Sequence, residues 1–262
     1  MANYLDSING VLPNGEPPLS NFDPRISFSW HGTDSKELFD KHMDDPRTRA
    51  IMEKLGHTRN SVIYELDAHG FRNPRDIVIH ESYLGLGCSF TFGTGLPATQ
   101  LWTHYLGNRL GANVYNAGLP GSSGDTAFRV ARTMVPMFKP KGVFILVPEA
   151  TRMEIISDFI DLGEPHSFGV WDYGKPEFGS LDKLVSGEVH TRLQQDRNVL
   201  AIEALCNRRN IPFFKIYLES VPEHVRRNGA GWWPASKARD LGHYGFEFQE
   251  FIAIEFHKML QK

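Results

Sequence analysis

Four short apolar runs, separated by helix-forming stretches, constrain the fold of this chain more than any other feature. The runs cover residues 83–88, 112–116, 142–147 and 212–217. The stretches between them place apolar residues at helical spacing, as Leu101, Tyr105 and Leu106 do before Gly111. Strands that alternate with helices of about 10–18 residues indicate a parallel sheet covered on both faces. The sequence therefore predicts an α/β fold, a three-layer sandwich with a central parallel sheet.

The composition excludes several classes of protein. Hydrophobic residues make up 41% of the 262 residues and charged residues 23%, so the chain is not disordered as a whole. The formal charge of −3 argues against a protein that coats nucleic acid or anionic lipid. Cys88 and Cys206 are too few for a disulfide scaffold, and the histidines show no pairing typical of metal ligands. We therefore expect no metal and no other cofactor.

The N-terminal residues show no basic region followed by an apolar stretch, as a secretory signal would. No apolar run reaches the about 18 residues that a membrane span needs. We therefore expect a cytoplasmic protein without a membrane partner. A phage structural protein, or one exported by a non-classical route, would share these features.

The first 60 residues differ in pattern from the rest. Residues 11–24 carry four prolines among Gly, Asn and Ser, which favours irregular structure. A helix is predicted over about residues 35–55, interrupted at Pro46 because proline lacks the donor N–H. We predict an N-terminal extension over residues 1–60 and an α/β domain over residues 61–262.

Two candidate functional residues follow the first two predicted strands. Ser89 lies at the carboxyl end of the first strand, before a glycine-containing turn into a helix, where backbone N–H groups can hold an oxyanion. Gly118 closes the next strand, and a glycine lets its own N–H approach a developing negative charge. Taken alone, each residue is more simply explained as part of a plain turn or as a helix cap.

A third candidate precedes the last predicted helix. Asp240 lies three residues before His243, close enough to hydrogen-bond one imidazole nitrogen and leave the other free as a general base. An Asp that caps a turn beside a surface His is the plainer alternative. With Ser89, this pair would supply the nucleophile, base and orienting carboxylate of acyl transfer.

The three places together resemble the conserved blocks of the SGNH hydrolases, also called GDSL esterases and lipases. Gly87-Cys88-Ser89 is similar to their Gly-Asp-Ser block, with Cys88 where Asp is usual. Residues 116–121 resemble the block that supplies the oxyanion glycine, and residues 240–243 the terminal Asp-x-x-His block. Residues 65–72 look like a segment that precedes the nucleophile strand in many members, so the resemblance covers about residues 62–260.

The resemblance implies a flavodoxin-like three-layer sandwich. It also implies a triad of Ser89, His243 and Asp240, with the N–H groups of Ser89 and Gly118 holding the oxyanion. The family's third block usually reads Gly-x-Asn-Asp, and its Asn donates to the oxyanion. Here residues 147–152 read Val-Pro-Glu-Ala-Thr-Arg, without Asn. Three interpretations stay open: Thr151 or Arg152 substitutes, the oxyanion hole uses Ser89 and Gly118 alone, or the protein is an inactive descendant.

The predicted function is that of a serine esterase acting on acetyl or short acyl esters. The breadth of the family suggests carbohydrate esters, and Trp232 and Trp233 would offer flat faces to a sugar ring, although tryptophans in a loop also pack as partial core. If the imidazole must be neutral, activity should rise through about pH 6–7. The partner is then a small-molecule or glycan ester. O-acyl transfer by the same triad, and an inactive binding or assembly protein such as a phage component, are the alternatives.

Overall fold

Four parallel strands form the central sheet of the molecule. The computed structural model describes residues 19–20, 22–155, 166–169, 172, 175, 188–226 and 236–262. The strands are β1 (Ser27–Phe28), β2 (Tyr64–Glu65), β3 (Tyr83–Gly87), β4 (Val114–Gly118), β5 (Val143–Val147), β6 (Met153–Ile155), β7 (His166–Phe168) and β8 (Phe213–Tyr217). The helices are α1 (Lys36–Asp44), α2 (Pro46–Lys54), α3 (Ser89–Phe92), α4 (Trp102–Leu110), α5 (Gly124–Phe138), α6 (Glu188–Asn207), α7 (Glu223–Arg226) and α8 (Phe246–Leu260).

The sheet has the order β4-β3-β5-β8, and helices cover both of its faces. α5 and α6 pack together on one face, where Ile145 and Ile202 belong to one buried cluster. α4 and α8 pack together on the other face, where Leu146 and Phe256 belong to a second cluster. Because successive side chains of a strand point to opposite faces, β5 supplies both clusters. The three-layer α/β fold predicted from the sequence is confirmed.

Several element bounds differ from the predicted ones where tertiary contacts decide them. The helical spacing described above includes Leu101, but α4 begins one residue later, at Trp102, after a 3₁₀ turn. β4 begins at Val114 and runs through Gly118, since this is the stretch that pairs with β3. Residues 153–155 and 166–168, which lie between the third and fourth predicted strands, form the antiparallel pair β6–β7. Pairing between distant residues leaves little trace in local propensity.

Residues 22–61, here called the N-terminal segment, lie against the loop that precedes α8. Ser35 caps α1 by accepting a hydrogen bond from the Leu38 N–H, and α2 begins at Pro46 behind the cap Asp45, so the predicted interruption is a break between two helices. β1 pairs antiparallel with β2. The Nε2 atoms of His42 and His57 lie 3.3 and 2.8 Å from main-chain oxygens of the 236–243 loop.

β4 forms one edge of the central sheet, and a side chain lies along it. The Asn73 amide accepts a hydrogen bond from the Asn116 N–H at 2.8 Å and donates one to the Asn116 carbonyl oxygen at 3.0 Å. Asn73 also donates to Asp67, which fixes the orientation of the Asn73 amide.

Among the helices that the structure describes, none has a stretch long and apolar enough to cross a bilayer.

Candidate active site

Ser89 lies where β3 ends and the single helical turn α3 begins. The chain passes through Gly87, with φ of +151°, and Cys88 before Ser89 opens the helix. A Cβ at Gly87 would overlap Thr91 Oγ1 and come 2.8 Å from the Leu146 carbonyl oxygen, so only glycine permits this turn. Ser89 therefore lies at the carboxyl edge of the parallel sheet, where α/β folds bind ligands.

Ser89, His243 and Asp240 form a continuous hydrogen-bonded series. Ser89 Oγ lies 2.8 Å from His243 Nε2, and His243 Nδ1 lies 2.6 Å from Asp240 Oδ2. With an ionised Asp240, Nδ1 is the donor, so Nε2 is left to accept the Ser89 hydroxyl proton. The structure thus brings together three residues that are up to 154 positions apart in sequence.

The carboxylate of Asp240 is fully engaged by donors. Its Oδ1 accepts the N–H groups of Gly242 and His243, each at 3.0 Å. Its Oδ2 accepts the Thr33 hydroxyl at 2.6 Å as well as His243 Nδ1. Burial by itself raises the pKa of this carboxyl, but the hydrogen bonds and charge of His243, together with Thr33, lower the pKa of Asp240 to about 2.

α8 and α4 hold the nucleophile turn from one side. Gln249 of α8 donates to the Phe90 carbonyl oxygen at 2.9 Å and accepts the Trp102 N–H at 2.8 Å. The centroid of the Phe90 ring lies 5.0 Å from the centroid of the His243 ring and 5.2 Å from that of the Tyr244 ring. These contacts fix α3 relative to the imidazole that its serine meets.

Arg72 holds the other end of the same turn. Its guanidinium donates to the carbonyl oxygens of Phe92, Gly93 and Leu96, where α3 ends, and it lies 4.4 Å from the Tyr64 ring centroid. Cations at a helix C-terminus are favourable. Burial lowers the pKa of Arg72 to about 10, which still leaves it charged at neutral pH. The sequence segment 65–72 thus contributes to the site by supporting α3.

The main-chain N–H of Gly118 is engaged by a side chain in the structure. This N–H, expected to hold the oxyanion, donates to Asn116 Oδ1 at 3.0 Å. A Cβ at Gly118 would come 2.5 Å from the Phe92 nitrogen, so close packing of α3 on β4 requires glycine here. Asn116 Nδ2 in turn donates to the Thr91 carbonyl oxygen at 2.7 Å. The Ser89 N–H, in the first turn of α3, has no acceptor within the helix.

The other predicted oxyanion and substrate residues are placed as follows. Thr151 lies in the turn after β5 with its side chain exposed. Arg152 donates to Glu149 at 2.9 Å, and the Ala150 N–H donates to Glu219 at 3.2 Å. Trp232 and Trp233 lie outside the described residues. In the described part of the chain, no three His, Cys, Asp or Glu side chains group as a metal site.

Sequence reasoning missed the residues that anchor the 236–243 loop. The Arg239 side chain is fully buried, and its guanidinium contacts both carboxylate oxygens of Asp34 at 2.8 and 2.7 Å. It also donates to the Arg59 carbonyl oxygen and lies 3.9 Å from the Trp30 ring centroid. The sequence shows that Arg239 is next to Asp240, but it gives no sign of the ion pair, because Asp34 lies 205 positions from Arg239.

No family model matches the chain. A protein of Acinetobacter baylyi named "Putative hydro-lyase" is 26% identical over 108 residues, which is 40% of this chain and 39% of that protein. Acinetobacter baumannii proteins of the same description match at the same identity and coverage. The chain thus spans about two fifths of the length of the curated relatives it matches.

Several solved structures are similar to the chain. TesA is 14% identical, with 69% of this chain and 98% of that chain covered and a TM-score of 0.43. The psychrotrophic esterase EstA of Pseudoalteromonas sp. is 13% identical, with 69% and 97% covered and a TM-score of 0.40. A GDSL-like lipase of Bacteroides thetaiotaomicron is 13% identical, with 72% and 92% covered and a TM-score of 0.32. The chain's own parallel sheet and flanking helices give it the three-layer fold that its resemblance to the SGNH hydrolases implies.

Proposed function

We propose that this chain is an ester hydrolase of the SGNH type that works through an acyl-enzyme on Ser89. One observation carries the proposal: Ser89 Oγ lies 2.8 Å from His243 Nε2, and His243 Nδ1 lies 2.6 Å from Asp240 Oδ2. These distances suit a nucleophile, its general base and the carboxylate that orients the base.

In this mechanism His243 takes the Ser89 proton while Oγ attacks the ester carbonyl. Asp240, ionised because its pKa is lowered to about 2, keeps the proton on Nδ1 and stabilises the imidazolium that forms. The imidazolium then gives its Nε2 proton to the departing alcohol. Water, deprotonated by the same nitrogen, then attacks the acyl carbonyl; the bond to Ser89 Oγ breaks, and the imidazolium returns the proton to Oγ as the acid leaves.

The donors that would bind the oxyanion are less complete than the Ser89–His243–Asp240 series. The Ser89 N–H is available to it, whereas the Gly118 N–H would first have to leave Asn116 Oδ1. A side-chain donor at the position of the family's Asn is missing, and the loss of one such donor typically lowers the rate about 10²–10³-fold. We therefore expect slow turnover unless bound substrate brings Thr151 or the Gly118 N–H to the oxyanion.

The proposed substrates are acetyl or short acyl esters, with carbohydrate esters first to be tried. The resemblance to a family with many such members supports this choice, and Trp232 and Trp233 are the proposed sugar-facing residues. Transfer of the acyl group to a sugar hydroxyl would need the same three residues. Product analysis with and without an acceptor sugar separates hydrolysis from transfer.

The first test is covalent labelling by a fluorophosphonate, followed by intact-mass measurement. We expect one adduct on the wild type and on Ser220→Ala, which alters an exposed serine outside the site, and none on Ser89→Ala. An activated serine reacts because its neighbouring imidazole takes its proton. An adduct that persists on Ser89→Ala contradicts the proposal.

A binding or assembly protein on a hydrolase fold is the second candidate. Its motivation is the engaged N–H of Gly118 together with the missing Asn after β5. Failure of the folded wild type to react with any fluorophosphonate or activated ester, combined with binding of a glycan, would favour this candidate over the esterase.

A further inference from the structure

Two adjacent residues of the N-terminal segment contact two adjacent residues of the 236–243 loop. Thr33 Oγ1 donates to Asp240 Oδ2 at 2.6 Å. Asp34, the next residue, accepts two hydrogen bonds from the guanidinium of Arg239, at 2.8 and 2.7 Å. The buried ion pair therefore anchors the loop, while the hydroxyl reaches the carboxylate that faces His243.

The turn that carries Thr33 is itself fixed. His31 and Asp34 exchange main-chain hydrogen bonds in both directions, at 2.9 and 3.0 Å. Gly32, with φ of +57°, takes the left-handed conformation between them. Tyr64 donates to Asp34 Oδ2 at 2.6 Å and so holds the carboxylate from a third side. The position of the Thr33 hydroxyl thus follows from backbone and buried contacts.

We propose that Thr33 is a positioning residue for Asp240, and that the N-terminal segment thereby completes the candidate active site. The proposal rests on the proposed function. The Thr33 hydroxyl and His243 Nδ1 share the same oxygen, Oδ2. The hydroxyl restrains rotation of the carboxylate and takes up part of its charge, so Oδ2 stays directed at Nδ1.

Removal of the Thr33 hydroxyl should change the pH at which His243 titrates. A carboxylate with one donor fewer holds more of its charge and binds a proton-bearing imidazole more strongly. The titration midpoint of His243 should therefore rise. The other titratable or charged groups near Asp240 in the described residues are His42, whose Nε2 lies 3.3 Å from the Asp240 carbonyl oxygen, His57, Lys237 and the Arg239–Asp34 pair. The substitution alters none of them.

The experiment compares Thr33→Val with Thr33→Ser in the full chain. Valine keeps the shape and removes the hydroxyl, whereas serine keeps the hydroxyl; Thr99→Val, at an exposed threonine outside the site, is the matched control. NMR titration of the His243 ring protons and steady-state hydrolysis of an acetyl ester are measured. For Thr33→Val we expect a midpoint raised by up to about one pH unit and kcat lowered about 2–10-fold at unchanged KM.

Thr33→Ser and Thr99→Val should behave as the wild type. The role of Thr33 is overturned if Thr33→Val titrates and turns over like the wild type, or if Thr33→Ser and Thr33→Val lose activity equally. The titration needs no substrate, so a wild type that hydrolyses no ester would overturn the proposed function while the shift of the His243 midpoint still decides the contact.

Discussion

Asp240 accepts hydrogen bonds from the main chain of its own loop, from His243 and from Thr33. Burial opposes its charge, yet these donors lower its pKa to about 2, below the value of 3.8 for a free side chain. A carboxylate that is ionised in this way holds the imidazole in one tautomer throughout the pH range in which an imidazole titrates. The same residue must therefore also contribute to the free energy of unfolding.

Asp240→Asn should lose a pH-dependent part of that free energy. Because the folded pKa is lowered, the contribution of about 2 kcal/mol is present above about pH 4 and is lost as the pH falls towards 2. Urea unfolding of both proteins at pH 6 and pH 3 measures it. The difference between the two proteins should be smaller at pH 3 than at pH 6 by about half of this contribution; a difference that does not change with pH contradicts the assignment.

The three hydrogen-bonded residues of the candidate site were predictable because each falls in a recognisable local pattern: Ser89 after a strand, and Asp240 three residues before His243. The expected oxyanion role of Gly118 could not be judged from the sequence, since the same glycine is required by the approach of α3. The contact of Thr33 with Asp240 joins residues 207 positions apart and leaves no local trace.

At the scale of elements, α3 is a helix of one turn that tertiary contacts hold in place. An isolated helix of four residues is unstable in water. Arg72 binds the carbonyl groups at its end, Gln249 binds Phe90, and the Asn116 amide binds both the Thr91 carbonyl oxygen and the Gly118 N–H. The position of Ser89 therefore depends on side chains from several distant elements.

Asn116→Asp tests this dependence with almost no change of shape. Aspartate cannot donate to the Thr91 carbonyl oxygen and places a negative charge beside it, so unfolding should become easier by about 1–3 kcal/mol. Labelling of Ser89 by a fluorophosphonate should slow at the same time. Urea unfolding and labelling rates measure the two effects, with Asn113→Asp, at an exposed residue just before β4, as the control. Equal effects of the two substitutions would contradict the role given to Asn116.

The central strands were predictable because buried parallel strands are continuous apolar runs, of which residues 143–147 are the clearest. Their carboxyl ends then gave the location of the site. The pair β6–β7 was not predictable, because its short strands acquire their pairing only from each other.

At the scale of the whole molecule, the fully buried Arg239 ties the 236–243 loop to the N-terminal segment. The side chain of its partner Asp34 is only 1% exposed, so water cannot solvate either charged group if the other is removed. Residues near both ends of the described chain thus meet beside His243, and the fold and the site are stabilised together.

Asp34→Asn should therefore destabilise the whole fold. An uncompensated buried guanidinium typically costs about 3–5 kcal/mol. The control is Glu250→Gln, which removes the exposed pair with Arg109, for which we expect less than about 1 kcal/mol. Thermal unfolding of the three proteins gives the comparison, and a drop no larger than that of the control would argue against the anchoring role of Arg239.

The Asn73 amide beside β4 has a consequence for how copies of this chain behave towards one another. The exposed border of a sheet is a template on which a second polypeptide can add a strand. Asn73 meets both the N–H and the carbonyl of Asn116, as an incoming strand would have to do. One side chain in the middle of β4 thus takes the place of a further strand, and we expect it to hinder the addition of a second copy at this edge.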